Sequence, residues 1–146
     1  MGVGVRQSKL ILVVDDSAAI RTLLTAVLLA AGFEVVTADG ARAALRQLRT
    51  LRPALILTDY AMPGLDGHAF VRLLRRNLRF AATPVFVVSS EAHRVKRDNM
   101  ARAGARGWLA KPIDPGELLT MIGAGQAATR LACCSGQSQI PTLVPG

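Results

Sequence analysis

The sequence predicts an α/β domain, a doubly wound five-stranded parallel sheet with helices on both faces. Short apolar runs rich in β-branched residues alternate five times with stretches of helical spacing, the pattern of successive βαβ crossovers. The strand segments are continuous apolar runs rather than alternating ones, as in Leu-Ile-Leu-Val-Val at residues 10–14 and Val-Phe-Val-Val at residues 85–88. Such runs belong to strands covered on both faces. A length of 146 residues with 51% hydrophobic content suits one packed core, so a single domain with a short tail is expected.

Residues 10–14 form the first strand. Helical spacing follows over residues 17–31, with Ile20, Leu23, Leu24, Val27 and Leu28 on one face and Gly32 as the C-terminal stop. The second strand is read at residues 33–37. A helix over residues 41–51 turns Ala44, Leu45 and Leu48 inward and Arg42, Arg46 and Arg49 outward, and Pro53 ends the turn after it. The third strand, residues 54–58, leads into Met62-Pro63-Gly64-Leu65-Asp66-Gly67, a loop dense in turn residues. A third helix over residues 67–77 carries Phe70, Val71, Leu73 and Leu74. Pro84 precedes the strongly β-prone fourth strand, and a fourth helix over about residues 91–103 stops at Gly104. The fifth strand, residues 107–110, is followed by Pro112 and a fifth helix over residues 115–122, which Gly123 and Gly125 interrupt. Residues 136–146 read as a frayed tail, and no internal repeat is present.

The longest apolar stretch, residues 23–33, contains Thr25 and Gly32 and falls short of the roughly 20 residues that cross a bilayer. Arg6 stands where an N-myristoylation signal needs Ser or Thr, and no secretory h-region precedes a small-residue cleavage site. A cytoplasmic protein is expected. Cys133 and Cys134 are adjacent, so they cannot close a useful loop and lack zinc-ligand spacing; two free thiols are expected.

Three carboxylates and one lysine stand at strand ends: Asp15 and Asp16 after the first strand, Asp59 after the third, and Lys111 after the fifth. Parallel neighbours would gather these groups in one crevice at the C-terminal edge of the sheet, where open α/β sheets place their chemistry. Carboxylates so close repel, and a bound cation together with the lysine lets them stay ionised. The pattern reads as a divalent metal site with a carboxylate poised for phosphoryl chemistry.

In Val-Asp-Asp-Ser at residues 14–17, Asp59-Tyr60-Ala61-Met62-Pro63-Gly64-Leu65-Asp66-Gly67, Ser89 and Lys111-Pro112, in that order and on those elements, the chain resembles the receiver domain of two-component response regulators of the CheY-like kind. The resemblance covers residues 9–126, leaves residues 127–146 as a flexible tail, and implies a flavodoxin-like fold. It implies that Asp59 is the phosphoacceptor, attacking the phosphorus of a phosphohistidine to become an acyl phosphate. It implies Mg²⁺ held by Asp16, Asp59 and the backbone carbonyl of Ala61, with Asp15 acting through water. Lys111 would hold one phosphoryl oxygen and the Ser89 hydroxyl another. Such a chain is a phosphoacceptor signalling domain rather than an enzyme, although it assists its own phosphorylation and dephosphorylation. Ala61 offers no side-chain amide or acid to position an attacking water, so other groups near the site would govern hydrolysis.

The family's route for reading phosphorylation couples the hydroxyl at the Ser89 position to an aromatic on the fifth strand. Trp108 occupies that place, where Tyr or Phe is more common. Two readings stand, a switch residue and a constitutively placed tryptophan. The implied partners are a sensor histidine kinase or histidine phosphotransfer protein and a downstream target protein met through the fourth helix and fifth strand. The receiver would be stand-alone, a monomer or a phosphorylation-dependent dimer, with relay intermediate or phosphate sink as the alternative.

The net charge is +8, and residues 69–111 hold ten basic residues against Glu91 and Asp98. The excess is placed on the third and fourth helices and their loops. An acidic partner surface fits this, as do arginines that simply solvate helix faces. A sequence pI near 11.0 also fits non-specific nucleic-acid binding, but no helix-turn-helix follows, and residues 123–146 contain Arg130 alone as a basic residue. No DNA-binding domain is expected. A haloacid-dehalogenase-type phosphatase wants two aspartates separated by one residue after the first strand, which Asp15-Asp16-Ser17 fails. Gly2-Val3-Gly4 precedes the first strand and so is no dinucleotide fingerprint. His68 and His93 fall on helices, where solvent-facing or packing roles are expected.

Overall fold

The computed structural model describes residues 9–90 and 94–123. Its order is β1 (Leu10–Val14), α1 (Ala18–Ala30), β2 (Glu34–Ala38), α2 (Ala41–Gln47), β3 (Leu55–Thr58), α3 (Gly67–Arg76), β4 (Val85–Ser89), α4 (Arg94–Ala103), β5 (Gly107–Ala110) and α5 (residues 115–123). The strands form one parallel sheet in the order β2-β1-β3-β4-β5. The connections step outward from β1 in one direction to β2 and in the other through β3 to β5. The carboxyl ends of β1 and β3 therefore flank the point where the winding reverses, and a crevice opens there.

Burial explains the strand composition. Ile11, Leu12, Val13, Leu55, Ile56, Val85 and Val87 are fully buried because helices cover both sheet faces. One face packs against α2, α3 and α4 through Ala41, Ala44, Leu48, Phe70, Val71, Leu74 and Met100. The other packs against α1 and α5 through Leu24, Leu28, Leu118 and Ile122. Each fully buried leucine or isoleucine stabilises the fold by roughly 1.5–3 kcal/mol before its entropy cost.

The helix ends follow from local chemistry. Ser17 caps α1 by accepting from the Ile20 N–H (3.3 Å), Asp66 caps α3 by accepting from the Ala69 N–H (2.9 Å), and Asp114 caps α5 by accepting from the Glu117 N–H (3.0 Å). α4 closes at Gly104, whose φ of +117° suits glycine, while the Ala105 N–H returns to the Met100 carbonyl at 2.9 Å. The Arg75 guanidinium fastens this turn by donating to the carbonyls of Gly104, Phe80 and Thr83.

The structure corrects several boundaries. β2 begins at Glu34 rather than Phe33, and α2 stops at Gln47, giving way to turns before residue 51. Leu23 and Leu73 are 40% and 38% exposed, so they border the core stripe instead of filling it. The first turn assigned to α4 at residues 91–93, His93, and the tail with Cys133 and Cys134 lie outside the described residues. No helix among the described residues is long and apolar enough to cross a membrane.

The positive charge is also distributed differently from the sequence assignment. α2 joins α3 and α4 in one layer, and its Arg42 and Arg46 add to theirs. Lys9, Arg21 and Lys111 are the basic residues among the described ones outside that layer and its connecting segments, and the carboxylates concentrate on the sheet edge and α5. The α2–α3–α4 layer is therefore strongly cationic.

Candidate functional site

β1 and β3 are hydrogen-bonded neighbours in register, Val14 opposite Thr58, so the residues that follow them emerge side by side. The Asp59 N–H donates to the Val14 carbonyl at 2.9 Å, and the Asp15 N–H donates to the Ala38 carbonyl at 3.1 Å. The ladder thus extends one residue past each strand and fixes both aspartates by their backbones. One carboxylate oxygen from each of Asp15, Asp16 and Asp59 lies within 4.8 Å of the others. Asp15 and Asp59 are buried, whereas Asp16 is exposed at the mouth.

Local donors aim the two buried carboxylates. Asp15 Oδ1 accepts from the Ser17 N–H at 2.9 Å, an Asx-turn that leads directly into α1. Asp59 Oδ1 accepts from the Tyr60 N–H at 2.8 Å. The remaining oxygens face Lys111, whose Nζ lies 3.0 Å from Asp15 Oδ2 and 3.5 Å from Asp59 Oδ2. Arg21 Nη1 donates to the Asp15 carbonyl at 2.7 Å and adds positive charge behind the turn.

Burial, and then the Asp15 carboxylate, push the Asp59 carboxyl above its ordinary range. The Lys111 ammonium and the Tyr60 N–H oppose the rise, and Asp16 adds to it. The balance leaves a carboxylate whose charge is poorly compensated by protein alone. A hard divalent cation would supply what is missing, and an all-oxygen donor set of this kind suits Mg²⁺ or Ca²⁺.

The other residues named from the sequence share this edge. Ser89 is the buried last residue of β4, and its carbonyl accepts from the Lys111 N–H at 2.9 Å, which ties the two positions together. Ala61 is exposed in the segment after Asp59. Trp108 lies opposite Val87 in the β4–β5 register, and its ring meets that of Tyr60 at 5.8 Å between centroids with a 44° tilt. Among the described residues the buried Trp108 Nε1 has no hydrogen-bond partner, and a buried donor left so costs about 1–3 kcal/mol. His68 is half-buried on α3.

Sequence reasoning missed the residues that hold the aspartates. Tyr60 and Ser17 act through backbone N–H groups, which carry no side-chain signature, although Asp-x-Ser before a helix is a readable Asx-turn signal. In the sequence Gly67 reads as a turn residue and the start of the third helix, without a packing role. A Cβ there would stand 2.5 Å from the Asp59 carbonyl oxygen and 2.9 Å from the Tyr60 Cα, so the start of α3 packs on the backbone carrying Asp59 because position 67 has no side chain.

Comparison with known proteins agrees with this geometry. The response regulator receiver domain family matches residues 11–123. The chain is 36% identical over 114 residues to the phosphate regulon transcriptional regulatory protein PhoB of Klebsiella pneumoniae, covering 78% of this chain and 50% of that protein. It is 35% identical over 114 residues to Protein PilH of Pseudomonas aeruginosa, covering 78% of this chain and 94% of that one. The chain thus spans about half the length of its PhoB relatives and nearly all of PilH. The structure of chemotaxis protein CheY4 of Vibrio cholerae superposes with a TM-score of 0.77 at 34% identity, covering 81% of this chain and 98% of that one. The matched family, the parallel sheet order and the carboxylate crevice at its switch point together establish that this chain belongs to the response regulator receiver domains of two-component signal transduction.

Proposed function

We propose that this chain accepts a phosphoryl group on Asp59 from a phosphohistidine of a sensor histidine kinase or histidine phosphotransfer protein, with Mg²⁺. In this reading it signals by phosphorylation-dependent protein binding. The observation that carries the reading is the convergence of Asp15, Asp16 and Asp59 within 4.8 Å, with Lys111 facing the two buried members. The proposed receiver unit spans residues 9–126 and works in the cytoplasm. The receiver is proposed to act on its own.

Asp16, Asp59 and the Ala61 carbonyl would hold Mg²⁺, with Asp15 acting through water. Bound there, the ion neutralises charge on the attacking carboxylate and the incoming phosphoryl group. Asp59 Oδ1 is held by the Tyr60 N–H, so Oδ2 is the oxygen presented to phosphorus. As the new O–P bond forms, the P–N bond of the phosphohistidine breaks and its electron pair returns to the imidazole. Lys111 would then move its charge from the carboxylates onto a phosphoryl oxygen, and the Ser89 hydroxyl would donate to another. The same chemistry run toward a histidine phosphotransfer protein makes the chain a relay intermediate.

Read-out is proposed through Ser89 and Trp108. Among the described residues the buried Trp108 indole N–H meets no acceptor, and a rotation that supplied one would favour a second state. The output surface would be α4 with β5, where Arg94, Arg97 and Arg106 surround Trp108.

The test is intact mass and Trp108 fluorescence with Mg²⁺ and a small acyl phosphate donor, with Asp59→Asn alongside. One added phosphoryl group, absent in the variant and accompanied by a fluorescence change, supports acceptor and switch. Phosphorylation without a fluorescence change removes the switch role. No phosphorylation together with no Mg²⁺ binding overturns the reading.

A further inference from the structure

We infer that the seam between α2 and α3 docks an acidic amphipathic helix of a partner protein, an activity that goes beyond phosphoryl acceptance and does not rest on it. Residues 40–57 and 67–83, the two helices and the segments after them, contain eight arginines and no Asp or Glu. Arg42 and Arg46 stand one helical turn apart on α2 and repel, and Arg49 follows in the turn directly after the helix. Among the described residues no carboxylate pairs with any of the three. The fold leaves that repulsion uncompensated on an exposed face.

Between the helices lies a cleft of about 100 Å³ with Leu45, Leu48, Leu73 and Phe80 in its lining and Arg49 and Arg79 at its edge. Its floor is apolar and recessed, since Leu48 and Phe80 are only 2% and 3% exposed. Arg79 braces one end by donating to the carbonyls of Leu48 and Arg49, each at 3.3 Å, with its guanidinium 5.3 Å from the Phe80 ring centroid. A shallower depression lined by Arg42, Leu45, Arg46 and Arg49 continues the surface along α2.

The combination selects the occupant. A nucleic-acid phosphate backbone would satisfy the arginines but has no aliphatic group to seat on a recessed apolar floor. A bilayer surface meets protruding apolar residues and does not reach a floor between two helices. An amphipathic helix supplies a leucine to enter the cleft, and flanking carboxylates match the guanidinium forks.

The test uses the full chain and a fluorescein-labelled 18-residue synthetic helix with leucine at i, i+3, i+4 and i+7 spacing and glutamate on its other faces, read by anisotropy. Arg46→Glu/Arg49→Glu should weaken binding at least tenfold, while Lys9→Glu/Thr22→Glu/Ala26→Glu, at exposed positions at the start of β1 and on α1 and with the same change in net charge, should alter it less than threefold. Replacing the leucines of the probe by serine should abolish binding to the unaltered protein. Equal weakening by both charge-matched variants would reduce the effect to net charge and overturn the proposal. So would retention of binding by the serine probe, or preference for a duplex DNA or phosphatidylserine vesicles over the peptide in the same assay.

Discussion

Replacing Lys111 by methionine preserves side-chain length and removes the cation from the carboxylate crevice. Its ammonium stands 3.0 Å from Asp15 Oδ2 and 3.5 Å from Asp59 Oδ2, whose side chains are 2% and 8% exposed. At an effective dielectric of about 20, each contact is a gross attraction of about 5 kcal/mol. Desolvation of three charged groups and the repulsion between the carboxylates offset much of that. Removing one member of a buried ion pair costs about 3–5 kcal/mol, because a charge stays behind unpaired. Lys111 is 17% exposed, and the crevice opens to solvent at Asp16, so the lower end applies: about 3 kcal/mol near pH 8 without Mg²⁺.

The pH dependence has a definite sign. Lys111 lowers the Asp59 pKa, so its loss lifts an already raised value further above the roughly 3.9 of an unfolded aspartate. A carboxyl raised in the folded state makes folding more favourable as pH falls through its folded value toward the unfolded one. The deficit of the variant should therefore shrink between about pH 8 and about pH 5, and millimolar Mg²⁺ should shrink it at either pH. Urea denaturation followed by Trp108 fluorescence in EDTA measures it. A deficit below about 1 kcal/mol near pH 8, or one that stays constant across this range, would refute the ion-pair account.

Asp59→Asn should raise metal-free stability by roughly 0.5–2 kcal/mol near neutral pH, because it removes a crowded buried charge while keeping the shape. The gain should fade on acidification as the native carboxyl takes up its own proton, which thermal melts at two pH values would check. Gly67→Ala places a methyl against the backbone of Asp59 and Tyr60, so it should cost about 1–3 kcal/mol and weaken Mg²⁺ binding several-fold. Unchanged Mg²⁺ titration curves would show that the contact does not position Asp59. Arg75→Ala frees the carbonyls of Phe80, Thr83 and Gly104 and should cost roughly 2–4 kcal/mol in urea. Arg75→Lys should recover little of it, since an ammonium cannot reproduce the fork; full recovery would make the site a simple charge effect.

The chain pattern made the class of fold legible because βαβ crossovers leave a strong signature: apolar runs such as residues 10–14 separated by helical spacing. It also placed Asp15, Asp16, Asp59 and Lys111 at strand ends, and for a parallel sheet strand ends share one edge. Periodicity was weaker at the borders of faces. Leu23 and Leu73 carry the right spacing yet are exposed, because spacing reports a direction around the helix axis and not how far the neighbouring element reaches.

Arg75 shows the limit most clearly. Within Arg72, Arg75, Arg76 and Arg79 it is one of four arginines in an apparent solvent-facing run, yet it is the one whose guanidinium binds three carbonyls and is held below its ordinary pKa by burial and by Arg106. The sequence by itself determined the parallel α/β class, the succession of elements and the residues brought to the carboxyl edge, since these rest on local spacing and strand direction. The tertiary structure alone decided the order β2-β1-β3-β4-β5, the gathering of α2 with α3 and α4 into one cationic layer, and the N–H groups that aim Asp15 and Asp59. These depend on which elements pack together across long stretches of chain, a choice made by the summed burial of whole faces and written in no single segment.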